Sequence, residues 1–220
     1  MNYNDDSYAA MLLTMTLSPN REEYARPFSV AEFRRMEALV RSSSLRRVGD
    51  LLDLDISGMM MTLGIPEEEA YRAFTLLHRS VQLSYAIESF MKQGIDVITC
   101  FDAEYPPRLR RKLRDMAPPV FFRCGVGEFE LRPAVAILGI SGVRTGEAVR
   151  EAVEGIVGAA VERGYTVVTG GELGVSRVAA AAVERQGGRL LDVLGGGMLE
   201  HIHLDGIAEL IACEIGRAHV

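Results

Sequence analysis

Lysine is nearly missing from this sequence. Of 24 basic residues in 220, only Lys92 and Lys112 are lysines, and the rest are arginines. Against 30 Asp and Glu they leave a formal net charge of −6, which argues against a broadly basic, nucleic-acid-coating surface. A local basic patch is still possible, and arginine is the residue that forks two hydrogen bonds to a phosphate and stacks on a base. No apolar run is long enough to cross a bilayer, and the acidic N-terminus Met1-Asn-Tyr-Asn-Asp-Asp6 is unlike a signal peptide. Both features predict a cytoplasmic protein with no membrane partner. The three cysteines, Cys100, Cys124 and Cys213, lack metal-ligand spacing and read as reduced, buried thiols. His201 and His203, two apart near a helix start, read as surface residues, so no metal site is expected. No Gly-Lys-Ser/Thr follows any glycine turn, which excludes a P-loop, and the strict three-glycine dinucleotide pattern is absent.

What is present is a repeated strand, glycine turn and helix between Ala134 and Gly197. The strands are expected at Val135–Leu138, Tyr165–Val168 and Leu190–Leu194. Helices are expected at about Thr145–Arg163 and Ser176–Gln186, the first from the spacing of Val149, Val153, Ile156, Val157, Ala160 and Val161. Short apolar strands alternating with amphipathic helices imply right-handed crossovers and a parallel sheet, whose ligands sit outside the carboxyl ends of the strands. All three turns fall at that edge. Glycines there permit positive φ and let a phosphate approach bare backbone, while the following helix aims its free N–H groups at the same place. The alternative is that they only let helices pack closely on strands. The candidate anion-binding residues are Gly139, Ser141, Gly142, Arg144 and Thr145 in the first turn. Thr169, Gly170, Gly171, Gly174, Ser176 and Arg177 belong to the second, and Gly195, Gly196 and Gly197 to the third.

Ahead of this unit the pattern is helical. Residues 1–21 have weak periodicity and read as a short helix or a loose arm. Residues 22–93 read as a compact helical domain with no catalytic signature. Ser29 and Glu32 have capping-box spacing, and Phe28 with Phe33 can form a hydrophobic staple, so a helix runs from there to about Arg41. Short helices follow at Leu45–Leu52 and Ile56–Leu63, the latter closed by Gly64. Pro66 then opens a single long helix with Glu67, Glu68 and Glu69 in its first turn. Its buried face is Ala70, Phe74, Leu77, Val81, Ile87, Phe90 and Met91, and Gly94 ends it. Residues 95–213 make the α/β domain. It starts with a strand at Ile95–Cys100, a short helix at Arg108–Leu113 and a strand at Val120–Arg123. Arg108, Arg110, Arg111, Lys112 and Arg114 form the densest basic run in the chain, and a solvated helix face is the default reading for it.

Tyr105-Pro106 with Leu109, then Pro118-Pro119-Val-Phe-Phe-Arg123 with Gly125, then the glycine turns, resemble the DNA-processing protein A (DprA, Smf) family over about residues 95–200. The resemblance implies an α/β fold: a Rossmann-like three-layer parallel sheet behind an N-terminal all-helical domain. It also implies binding of single-stranded DNA, a homodimer, and loading of the recombinase RecA onto DNA during natural transformation, without catalysis or cofactor. The turns depart from the family. Where its first turn reads Gly-Ser-Arg, this chain has Gly139-Ile-Ser141-Gly142-Val-Arg144, with the arginine shifted along the loop. In the second turn Thr169, Gly170 and Gly174 match, Ser176 replaces an aspartate, Ala180 replaces a histidine, and Arg177 adds a positive charge. Gly195-Gly-Gly197-Met agrees with the third. The pocket shape is kept and its polar fittings are changed.

The last seven residues, Glu214-Ile-Gly-Arg-Ala-His-Val220, match one reading frame of a widely used short-read sequencing adapter. They are expected to be a non-native tail after a helix near Leu204–Ala212, leaving the α/β domain incomplete with an unpaired sheet edge. The alternative function lies in the same superfamily: a nucleotide-binding protein or a nucleotide phosphoribohydrolase of the LOG type, with Glu172 as its polar group.

Overall fold

The computed structural model describes residues 3–17, 25–125, 133–139, 145–171 and 173–194, and the strand backbone of 216–219. The chain divides into two compact units: residues 1–93 with 97–121, and residues 94–96 with 122–220.

The first unit is built round α1 (Asp5–Thr14), which starts at Asn4, whose side chain accepts the Ser7 N–H at 2.8 Å. Ala9, Ala10, Met11, Leu12 and Leu13 are all buried. A helix apolar on every side belongs in a core, and its weak periodicity has that cause: there is no wet face to mark. Of the two readings offered for this segment, a short helix or a loose arm, the structure has the helix. The loop after the first strand ties in to it, as Ser7 Oγ donates to Asp102 Oδ1 at 2.6 Å and Thr99 Oγ1 donates to Ser7 Oγ at 2.8 Å.

Helix α2 (Val30–Ser42) begins with the expected capping box: Ser29 N–H donates to Glu32 Oε2 at 2.7 Å and Glu32 N–H donates to Ser29 Oγ at 3.3 Å. Phe28 and Phe33 are both buried. The Arg72 guanidinium, 2.8 Å from Glu32, holds that carboxyl well below the usual carboxylate range. A 3-10 turn at Val48–Asp53 stands where a helix was expected, and α3 (Ile56–Leu63) ends at Gly64, φ 65°.

The single long helix after Pro66 is two: α4 (Glu67–Leu77) and α5 (Ser80–Lys92). At the break the His78 ring lies on Phe74, centroids 3.8 Å apart, with Nδ1 2.8 Å from the Phe74 carbonyl. Arg79 leaves the helical path to donate to the carbonyls of Leu12 and Met15 at the end of α1. The buried face shifts with the break. Leu83 is buried, whereas Val81 and Met91 are 64% and 58% exposed.

Strands β1 (Ile95–Thr99) and β2 (Val120–Cys124) flank α6 (Pro107–Leu113). In the second unit β3 (Ala134–Ala136), α7 (Glu147–Glu162), β4 (Thr166–Thr169), α8 (Val175–Arg185) and β5 (Arg189–Leu194) follow in order. β3, β4 and β5 are parallel neighbours in register Val135 opposite Val167 and Val167 opposite Leu190. The core under the helices is Val153, Val157 and Ala160 of α7, Ala179, Ala182 and Val183 of α8, with Val167 and Leu190. Val149 and Ile156, counted in the helical repeat, are instead about half exposed, at 47% and 51%.

Residues Gly216–His219, in the segment set apart as a tail, form β6, parallel to β5 and antiparallel to β2. The sheet order is β1-β2-β6-β5-β4-β3, so β3 is one edge. The helix expected near Leu204–Ala212, His201, His203 and Cys213 lie outside the described residues. Cys100 and Cys124 are buried, and burial pushes the Cys100 thiol up.

Candidate nucleic-acid interface

The motif residues with the greatest sequence specificity are structural. Tyr105 is buried, donates its hydroxyl to the Pro118 carbonyl at 2.8 Å, and meets Phe121 edge-on at 5.5 Å between centroids. Burial pushes the phenol up to about 12. The Tyr-Pro and Pro-Pro-x-Phe pieces thus lock to each other. Arg123 pairs with Asp96 at 2.8 Å, joining β2 to β1, and Gly125 turns the chain at φ 104°.

The glycine turns divide by role. A Cβ on Gly139 would lie 2.6 Å from Val175 Cβ, so this glycine lets the end of β3 pack on the start of α8. That contact sets Gly139 against the start of α8, just after the second turn. Among the described residues a Cβ on Gly170 would meet nothing within 4 Å, so the backbone there is open with respect to them. Gly171 and Gly174 have φ of 68° and 94°, which favour glycine. Gly174 is the N-cap of α8 and offers no side chain to the first N–H groups.

The two helix starts differ electrostatically. α7 begins with Glu147, which already answers its positive end. α8 has no acidic residue in its first turn and carries exposed Arg177 there, without a partner among the described residues. A cation beside a helix N-terminus is unfavourable unless an anion joins them. Thr169 is buried and its hydroxyl donates to the buried Asp192 of β5, while Gly171 N–H donates to Thr169 Oγ1 at 3.3 Å. Its side chain serves the sheet and the turn's own backbone rather than solvent. Ser176 is buried in the first turn of α8, and Thr145 is half-buried before α7. Ser141, Gly142, Arg144, Glu172, Gly195, Gly196 and Gly197 lie outside the described residues. Asp192 was not singled out by sequence; its only signal was one carboxylate inside the apolar run Arg189–Leu194.

Among the described residues no group of three or more His, Cys, Asp or Glu is placed to hold a metal ion, and no helix is long and apolar enough to cross a membrane.

None of the curated proteins matches this sequence. The X-ray structure of DNA processing protein A (DprA) from Streptococcus pneumoniae superposes with a TM-score of 0.60 at 17% identity, covering 100% of this chain and 68% of that one. At that identity the likeness shows the fold: a helical N-terminal region followed by a parallel sheet flanked by helices. The family model for DNA recombination-mediator protein A matches residues 96–207, from β1 past the third glycine turn. With the motif residues and the sheet in place, the chain belongs to the DNA recombination-mediator protein A (DprA) family.

Proposed function

We propose that this member of a DNA-processing, recombination-mediating family binds single-stranded DNA at the carboxyl edge of the parallel sheet. The observation that carries the reading is the second turn. It holds the backbone of Gly170, where a Cβ would stay clear of described atoms, the uncapped start of α8, and Arg177, which has no partner among the described residues, with no carboxylate in the first turn of α8. Backbone N–H groups and a helix N-terminus take a phosphate in a sequence-independent way, which suits a protein that must accept any strand. Ser141, Gly142, Arg144, Thr145 and Gly195–Gly197 would complete the rim from the neighbouring turns. Loading of RecA, assembly as a homodimer and residence in the cytoplasm belong to the same reading. Catalysis does not belong to it; Glu172, on which the alternative reading as a nucleotide phosphoribohydrolase depends, lies outside the described residues.

Filter retention of oligo-dT by the full chain tests this. Binding that weakens steeply between about 50 and 200 mM salt, with a slope of about −0.7 per phosphate contact, is expected. No retention at any salt, or release of free base from AMP, would overturn it.

A further inference from the structure

A second basic feature lies in the first unit, on residues other than those of the glycine turns. α6 and the residue after it carry Arg108, Arg111, Lys112 and Arg114, all exposed and, among the described residues, none with a hydrogen-bonding or ionic partner. Elsewhere in the described residues arginines are mostly committed. Arg26, Arg34, Arg35, Arg41, Arg47, Arg72, Arg123 and Arg185 pair with carboxylates, and Arg79 and Arg163 donate to carbonyls. Within α6 itself Arg110 is committed too, donating to the Cys100 carbonyl and lying 5.2 Å over the Tyr105 ring.

The spacing concentrates the charge. Arg108, Arg111 and Lys112 stand at i, i+3 and i+4, on one face of the helix, where like charges repel. The C-terminal dipole end accounts for cations in the last turn but not for Arg108 in the first. No residue of α6 is buried, so packing does not hold these side chains in place. The only carboxylate between Pro107 and Met116 is Asp115. Arg114 follows with φ 50°, an unusual conformation for a residue with a Cβ. In a chain of net charge −6, an uncompensated cationic ridge is complementary to a polyanion.

We infer that this ridge on the helical unit is a second contact for the phosphodiester backbone of single-stranded nucleic acid, separate from the glycine turns. Guanidinium groups fork onto phosphate oxygens. Met116, 77% exposed, and Leu113, 40% exposed, flank the ridge, while Tyr105, the ring under Arg110, is buried. Without an exposed ring to stack on bases, the contact is to phosphates and is indifferent to sequence. The inference rests on the single-stranded-DNA reading above but uses different residues.

The test compares the full chain with its Arg108→Gln/Arg111→Gln/Lys112→Gln/Arg114→Gln variant, after circular dichroism and melting show both folded. Glutamine keeps helix propensity close to that of the residues it replaces. A control variant, Arg46→Gln/Arg150→Gln, removes exposed unpartnered cations elsewhere. Labelled oligo-dT is titrated at several salt concentrations. The ridge variant is expected to bind about tenfold more weakly at low salt, with a log K against log salt slope shallower by about 2–3, at about 0.7 per lost contact. The control should change the slope by less than half as much. Equal slopes for variant and wild type overturn the ridge while leaving the glycine-turn reading intact. An equal loss in the control also overturns it, as a general charge effect. Loss of poly-glutamate binding or of anionic-vesicle binding with oligo-dT affinity unchanged would reassign the ridge to an acidic protein or a lipid surface. No binding of oligo-dT by the unaltered chain would sink both readings together.

Discussion

Gly170→Ala should bind oligo-dT about ten- to a hundredfold more weakly than the unaltered chain while melting at the same temperature or slightly higher. The added methyl would meet no atom of the described residues within 4 Å, and the backbone at Gly170 has no positive φ to strain. At such a compatible site Gly→Ala stabilises by about 0.4–1 kcal/mol, because the unfolded chain loses freedom. The methyl would stand in the path of a phosphate approaching the turn. Losing one charge-assisted hydrogen bond there costs about 1.5–3 kcal/mol, which is the stated range in affinity. Gly139→Ala should behave in the opposite sense. Its Cβ would lie 2.6 Å from Val175 Cβ, so the start of α8 must move, at about 1–3 kcal/mol of stability. Melting and equilibrium binding on the two variants check the pair. A Gly170→Ala protein that binds as well as wild type would remove the close approach of phosphate from this turn.

The largest expected loss of stability is Arg79→Met. The guanidinium supplies donors to the carbonyls of Leu12 and Met15, and it also donates to the Leu76 carbonyl at 3.2 Å. Leu12 and Met15 are both buried, at 1% and 5% exposure. Methionine keeps most of the side-chain bulk and removes every donor. Each buried acceptor left without a partner costs about 1–3 kcal/mol, so about 2–4 kcal/mol is expected for the helical unit, read from the urea midpoint. Arg79→Lys should recover part of it, since an ammonium still donates but cannot fork. An unchanged midpoint for Arg79→Met would mean that solvent or another donor serves the end of α1.

Much of this architecture could be read from the chain, because its signals are local. Ser29 and Glu32 form their box where the spacing put it, and Gly64 closes α3. The β3, β4 and β5 strands fall within a residue or two of their apolar runs. What escaped was set by distant contacts. α1 gave no period because all its sides are buried, and the split between α4 and α5 follows from Arg79 reaching carbonyls 64 and 67 residues away. The candidate site was legible as glycines but not as roles. Gly139 and Gly170 look alike in sequence, and only the position of Val175 separates a packing glycine from an open one. Thr169 likewise reads as a ligand-facing hydroxyl until Asp192 is seen to claim it.

Backbone amide shifts of isotope-labelled protein titrated with oligo-dT bear most directly on the central idea, that bare backbone at the second turn holds a strand's phosphates. The amides of Gly170, Gly171, Val175 and Ser176 should shift together, saturate, and return towards their free positions as salt is raised. Saturable binding that leaves those amides unmoved would contradict the account.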